Sequence, residues 1–153
     1  MSKPFTIIVT GAVSFLPLDL LAPPSHSPLL PTQNRGIGRA ICEQILSRPN
    51  LPSPITLFAA SRSGQNLGFQ APKPGDEVRY PQLDISSSES IRNFVSESGS
   101  VVDVLINNAG VNLDAPGSYG PENVRKTLDV NFRGTLEVGL ILSSSSSFSN
   151  DFY

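Results

Sequence analysis

The chain alternates short apolar runs with stretches of helical periodicity. Residues 5–10, FTIIVT, are apolar or β-branched throughout, as in a strand covered on both faces of a parallel sheet. Residues 36–47 space Ile37, Ala40, Ile41 and Ile45 along one helical face, and the RPNLPSP that follows stops the helix. ITLFAA (55–60) predicts a second buried strand. The next stretch, SRSGQNLGFQAPKPGD (61–76), is too rich in Gly and Pro for more than a short helix. EVRYPQLDI (77–85) predicts a third strand, placed at a sheet edge because Pro81 has no N–H for a ladder.

Ser86-Ser87-Ser88-Glu89 has capping-box spacing, and Ile91, Phe94 and Val95 follow on one helical face. VVDVLI (101–106) predicts a fourth strand. From Pro121, a favoured early-helix residue, one long helix is expected, with Val124, Leu128, Phe132 (or Asn131), Thr135 and Val138 at spacings of three and four. The serine-rich end, 143–153, has the composition of a disordered tail. Strands alternating with helices imply a parallel sheet with right-handed crossovers.

Composition narrows the function classes. With 153 residues and 39% hydrophobic content, the chain has the size of one ordinary domain. A net charge of -2 and a pI near 5.3 offer nothing to nucleic acid or an anionic membrane. The N-terminus enters a strand almost at once, without a signal sequence, and no apolar stretch is long enough to span a bilayer. A cytoplasmic protein is expected. Cys42, the sole cysteine, excludes an intramolecular disulfide and reads as a small packed side chain. The sole histidine, His26, cannot build a His-rich metal site.

The chemistry begins at Thr10-Gly11, where the first strand ends. Residues 34–38, Asn-Arg-Gly-Ile-Gly, open the first helix. With residues 13–33 set aside, the two join as TGANRGIG between a buried strand and an amphipathic helix. In that arrangement Gly11 allows the tight turn, Gly36 lets the backbone approach a pyrophosphate, and Gly38 lets helix and sheet pack closely. The helix N-terminus supplies N–H donors and positive dipole to the phosphates. Arg62 lies just past the second strand, where an acid would accept from a free ribose 2′-hydroxyl and an arginine accommodates a 2′-phosphate. Arg35 adds a second positive charge nearby. Asp84 and the Asn107–Gly110 run end the third and fourth strands, at the carboxyl edge where open α/β sheets bind ligands.

Residues 13–33 do not belong to such a turn. They hold five prolines, six leucines and one charged residue, Asp19, and suit neither helix, strand nor polar loop. Loop entropy tolerates them, at roughly 1.5 kcal/mol for a fivefold longer turn. The phosphate cradle does not, because it needs Gly11 and Gly36 as near neighbours. The segment begins Val13-Ser14 and ends Thr32-Gln33, residues that GTN-AGY and a terminal CAG can encode, as at the edges of an in-frame intron. A translated intron is the expectation; a surface insertion is the alternative.

On TGANRGIG across the interruption, the SR after strand two, QLDI, DVLINNAG and LDVNFRGT, the chain resembles the short-chain dehydrogenase/reductase family, in particular its NADPH-dependent carbonyl reductase-like members. The resemblance implies an α/β Rossmann-type doubly wound parallel sheet, truncated to strands one to four in the order 3-2-1-4, over residues 1–142. It implies NADP as cofactor, held by Gly11, Asn34, Arg35, Gly36, Ile37, Gly38, Arg62, Asp84, Ile85, Asn108, Ala109, Gly110 and Val130. Ile37 would lie under the cofactor and Asp84 with Ile85 beside the adenine. Asn131 matches the family's active-site asparagine, which helps hold a water of the proton relay. The partner implied is a small carbonyl substrate; oligomeric state stays open.

The family's chemistry also needs a serine on a fifth strand and a Tyr-x-x-x-Lys pair. Four residues after Tyr80 and Tyr119 stand Asp84 and Asn123, and Tyr153 is the last residue. The expectation is an NADPH-dependent carbonyl reductase as parent and a silent chain here. The alternatives are a non-catalytic nucleotide-binding module and a mis-spliced fragment without function.

Overall fold

A computed structural model of the chain describes residues 3–12, 36–50, 52, 54–99, 101–113 and 120–145. Strands β1 (Phe5–Thr10), β2 (Ile55–Ala60), β3 (Glu77–Arg79) and β4 (Val104–Ile106) form one parallel sheet in the order β3-β2-β1-β4. Helices α1 (Ile37–Leu46), α2 (Ser88–Ser98), α3 (Pro121–Leu128) and α4 (Thr135–Ser145) complete it, with a π-helical turn, Asp129–Gly134, joining the last two. The expected truncated Rossmann-type α/β architecture and strand order are what the chain adopts.

Strand periodicity sends alternate residues of β1 to opposite faces. Ile7 and Val9 join Leu57, Ala59, Cys42 and Ile45 in a core under α1. Ile8 joins Phe58, Leu83, Ile91, Phe94, Val138 and Leu142 in a core under α2 and α4. Helices on both faces explain why β1 and β2 are apolar without interruption. Pairing runs Phe5 opposite Ile55 through Thr10 opposite Ala60, so β1 and β2 end level with each other at the carboxyl edge.

Several boundaries depart from the sequence pattern. The run 77–85 is not one strand: β3 stops at Arg79, and a single bridge joins Ser61 to Gln82. Pro81 has no N–H to donate, but its carbonyl accepts from Ser61 N–H at 3.2 Å, and Leu83 N–H returns to the Ser61 carbonyl at 2.8 Å. Likewise β4 spans only Val104–Ile106, because Asp103 turns to the β1 backbone, its carboxylate accepting from Thr6 N–H at 2.7 Å. The N-cap of α2 is Ser87, which accepts from Ser90 N–H, rather than the Ser86–Glu89 box. On α1 the inward face is Gly38, Cys42 and Ile45; Ala40 is exposed and Ile37 is 74% exposed.

The expected single helix from Pro121 is interrupted by the π turn. Its extra residue per turn rotates the helical face, so Val124, Leu128 and Phe132 lie exposed while Val138 and Leu142 are buried. Gly134 permits the approach: a Cβ there would collide with the Ile85 carbonyl. Helix α4 continues through Ser143–Ser145, into the stretch expected to be a tail. Residues 13–33, Asn34, Arg35 and 146–153 lie outside the described residues.

Candidate functional site

The site is built where β1, β2 and β4 end. Thr10, the last residue of β1, is buried at 1% exposure. Its hydroxyl oxygen accepts from the N–H groups of both Asn108 and Ala109, each at 3.0 Å. Asn108 answers with its side-chain amide, which donates to the carbonyls of Thr10 at 3.1 Å and Gly11 at 2.9 Å. Four hydrogen bonds thus weld the end of β1 to the segment after β4. Ala12 N–H continues the ladder to the Ala60 carbonyl at 3.0 Å.

The glycines are there because nothing larger fits. Gly11 has φ +64°, and a Cβ on it would stand 2.6 Å from Ala109 Cα. A Cβ on Gly38 would collide with the Gly11 carbonyl and lie 2.5 Å from Asn108 Nδ2. Those separations are below any van der Waals contact, so the first turn of α1 sits directly on the weld. Gly36 is the N-cap of α1 in an extended conformation. Among the described residues no side chain caps this N-terminus, and its first turn carries no acid, so the N–H groups and positive dipole end keep their affinity for an anion. Exposed Ile37 offers an apolar surface beside them.

Arg62 lies in a turn closed by Gly64 N–H on the Ser61 carbonyl and hydroxyl at 3.2 and 3.1 Å. Its side chain is exposed and has no hydrogen-bond or ion-pair partner among the described residues. Asp84 accepts from the N–H and hydroxyl of Ser86 at 2.9 and 2.7 Å, and its own N–H donates to Ser90 Oγ at 2.9 Å. Ile85 is buried, with Gly134 packed on its carbonyl.

Asn131 sits inside the π turn. Its Oδ1 accepts from Val111 N–H at 2.7 Å and its Nδ2 donates to the Val111 carbonyl at 2.8 Å. The carboxamide thus holds the backbone that follows Gly110 by one accepted and one donated bond. Val130 packs against the α2–α4 core.

The fold therefore gathers Gly11, Gly36, Gly38, Asn108, Ala109, Gly110 and Asn131, with Ile85 and Val130 behind. Asn34 and Arg35 lie outside the described residues. Thr10 was named from the sequence only as the end of the first strand, and Gly134 was not singled out. Gly134 carried a signal, a lone glycine inside a helical pattern, which marks a close approach. Cys42 is packed under α1, and burial pushes its thiol up to about 12, so it takes no part as a nucleophile. A cavity of about 310 Å³ lies elsewhere, along α2, lined by Gln82, Ser87, Glu89, Asn93 and Glu97; its carboxylates repel a polyphosphate. No group of three or more His, Cys, Asp or Glu among the described residues could hold a metal ion. No helix among them is long and apolar enough to cross a membrane.

Known proteins share this fold. Carbonyl reductase [NADPH] 1 of Mus musculus is 34% identical over 113 residues, 69% of this chain and 39% of that protein. The solved structure of a carbonyl reductase described as Sniffer, from Caenorhabditis elegans, superposes with TM-score 0.62 at 23% identity, covering 94% of this chain and 53% of that one. An NADPH-bound carbonyl reductase from chicken fatty liver superposes with TM-score 0.58 at 17% identity, covering 94% and 48%. The chain thus spans about two-fifths of the length of the curated relatives it matches. The profile of the short chain dehydrogenase family matches residues 32–144, beginning just before the glycine turn and ending in α4. With the glycine cradle, the sheet order and that match in agreement, the chain belongs to the short-chain dehydrogenase family, whose members bind a nicotinamide cofactor.

Proposed function

We propose that this chain is the cofactor-binding half of an NADPH-dependent, cytoplasmic carbonyl reductase. The observation that carries the proposal is the cradle of Gly11, Gly38 and Asn108 beside the uncapped N-terminus of α1. The close backbone packing that these glycines permit sets the N-terminus of α1 at the carboxyl edge of the sheet, and the N–H groups and dipole there suit a pyrophosphate. Arg62, exposed after β2 and without a partner among the described residues, favours a ribose 2′-phosphate over a free hydroxyl, with Arg35 in support. Asp84 and Ile85 would flank the adenine, Ile37 would lie under the cofactor, and Ala109, Gly110 and Val130 would line the crevice. When bound, the nicotinamide supplies a hydride for a ketone or aldehyde.

The residues of this chain bind and orient; they do not complete the proton relay. Asn131 fixes the segment after Gly110 through its carboxamide. The sequence contains no Tyr-x-x-x-Lys, so no phenol stands ready to protonate a developing alkoxide. That absence favours a second reading for this polypeptide, a nucleotide-binding module without catalysis. Titration of the chain, with and without residues 13–33, tests cofactor choice: NADPH should bind more tightly than NADH, and equal or tighter NADH binding rejects the proposal. NADPH should not be oxidised when the chain is given a reactive dicarbonyl. Turnover above the buffer control would show that a proton donor had been overlooked.

A further inference from the structure

The stretch 61–76 has no regular secondary structure, yet it is pinned at two points. At one end Ser61 bridges to Gln82, and the turn to Gly64 (φ +61°) is packed so that a Cβ on Gly64 would stand 3.2 Å from Gln82 N. At the other end the Tyr80 hydroxyl accepts from Phe69 N–H at 2.8 Å and donates to the Phe69 carbonyl at 3.2 Å. One phenol thus satisfies both backbone groups of one residue, as a neighbouring strand would. The Tyr80 ring also stacks on Phe69, centroids 6.1 Å apart and 23° from parallel. The guanidinium of Arg39, on the first turn of α1, lies 5.1 Å from the Phe69 ring centre, and its Nη1 donates to the Leu67 carbonyl at 3.2 Å. Glu43 holds the same guanidinium through Nε at 2.9 Å.

Arg62 and Ser63 lie within the turn of the first pin and Gln65 and Asn66 between the two pins, all four exposed. Asn66 Oδ1 accepts from Gly68 N–H at 2.8 Å, tightening the return to Phe69. A Gly-rich segment left to itself would lose many conformations on gripping a ligand, and that loss would be subtracted from the affinity. Pinned, residues 61–69 present their one cation, Arg62, on a turn already formed.

We infer that Tyr80 and Arg39 are positioning residues for recognition of the ribose 2′-phosphate: by clasping Phe69 and Leu67 they fix the turn that carries Arg62 relative to the first turn of α1. The inference rests on the proposed NADPH reading. It extends that reading to residues that touch no cofactor atom and act through the selectivity ratio alone. The phosphate-independent part of the ligand would be held at Gly11, Gly38 and Asn108, and the bonds of the clasp, from Tyr80 and the Arg39 side chain to Phe69 and Leu67, involve none of them. Loosening the clasp therefore weakens one ligand and spares the other.

The test is calorimetric titration of the full chain with 2′-phospho-ADP-ribose and with ADP-ribose, comparing wild type, Tyr80→Phe, Arg39→Met and Arg62→Ala. Wild type should favour the 2′-phosphorylated probe, and Arg62→Ala should abolish the preference. Tyr80→Phe keeps the ring stack and removes both hydrogen bonds; it should cut the preference about three- to tenfold, with ADP-ribose affinity unchanged. Arg39→Met should do the same by a different contact, and carries the test should Tyr80→Phe fail to fold. A wild-type ratio in both variants overturns the inference and leaves the NADPH reading standing. Equal loss of affinity for both probes marks a merely structural role and also overturns it. A wild-type chain that shows no preference, or binds neither probe, overturns both.

Discussion

Thr10→Val is the most informative single substitution, because it changes one atom type at the centre of the weld and leaves the shape alone. Valine has the volume and β-branching of threonine, so β1 keeps its packing and strand propensity. What disappears is the acceptor for two N–H groups, those of Asn108 and Ala109, each at 3.0 Å. A buried donor deprived of its partner costs about 1–3 kcal/mol. Asn108 and Ala109 are half-buried rather than sealed, so water can reach part of the gap and the lower end applies to each. The expected loss is about 2 kcal/mol. Against a typical domain stability of roughly 5–15 kcal/mol, that is a large fraction. The Asn108 amide would still donate to Thr10 and Gly11, whose carbonyls are backbone atoms, so the fold should survive. Pulse proteolysis across a urea series, at chain concentrations low enough to suppress association, gives the change in midpoint. A loss below about 0.5 kcal/mol, the size of an ordinary surface change, would refute the claim that this hydroxyl joins the two strand ends.

Removing the carboxamide clasp with Asn131→Ala should cost about 1–2 kcal/mol, and amide exchange at Val111 should quicken while that of β1 and β2 stays slow. Unchanged exchange at Val111 would contradict the observed pair of bonds. Cys42 should resist alkylation at pH 8 in native buffer and react at once in denaturant, since burial raises its pKa from 9.0 to about 12. Because the folded value is the higher one, the associated stability is whole below pH 9 and is lost as pH climbs towards 12; a native thiol that reacts freely at pH 8 would disprove its burial. Val124, Leu128, Phe132, Leu136 and Leu140, spaced four apart and each at least half exposed, form an apolar stripe, and no described strand pairs with the outer edge of β4. Sedimentation should show association that grows with concentration and falls in Leu128→Glu. A monomer at every concentration would count against it.

The sequence by itself determined the sheet. Continuous apolar runs such as FTIIVT and ITLFAA are legible because a strand covered on both faces has no polar option at any position, and alternation with helices then leaves little choice of topology. The glycine turn was legible for a similar reason, since Gly11 and Gly38 stand where no Cβ fits. Tertiary structure alone decided the rest. Pattern cannot show that Asp103 shortens the fourth strand, because its carboxylate takes the N–H of Thr6 on β1, 97 residues away. Nor can it show that a π turn rotates the last helix, burying Val138 and Leu142 while Leu128 and Phe132 face outward; that choice follows from how Gly134 meets the Ile85 carbonyl. The polar contacts of the site were the least legible of all. Thr10 with Asn108, Asn131 with Val111, and Tyr80 with Phe69 pair groups 98, 20 and 11 residues apart, and no local periodicity records which distant N–H a hydroxyl or amide will meet.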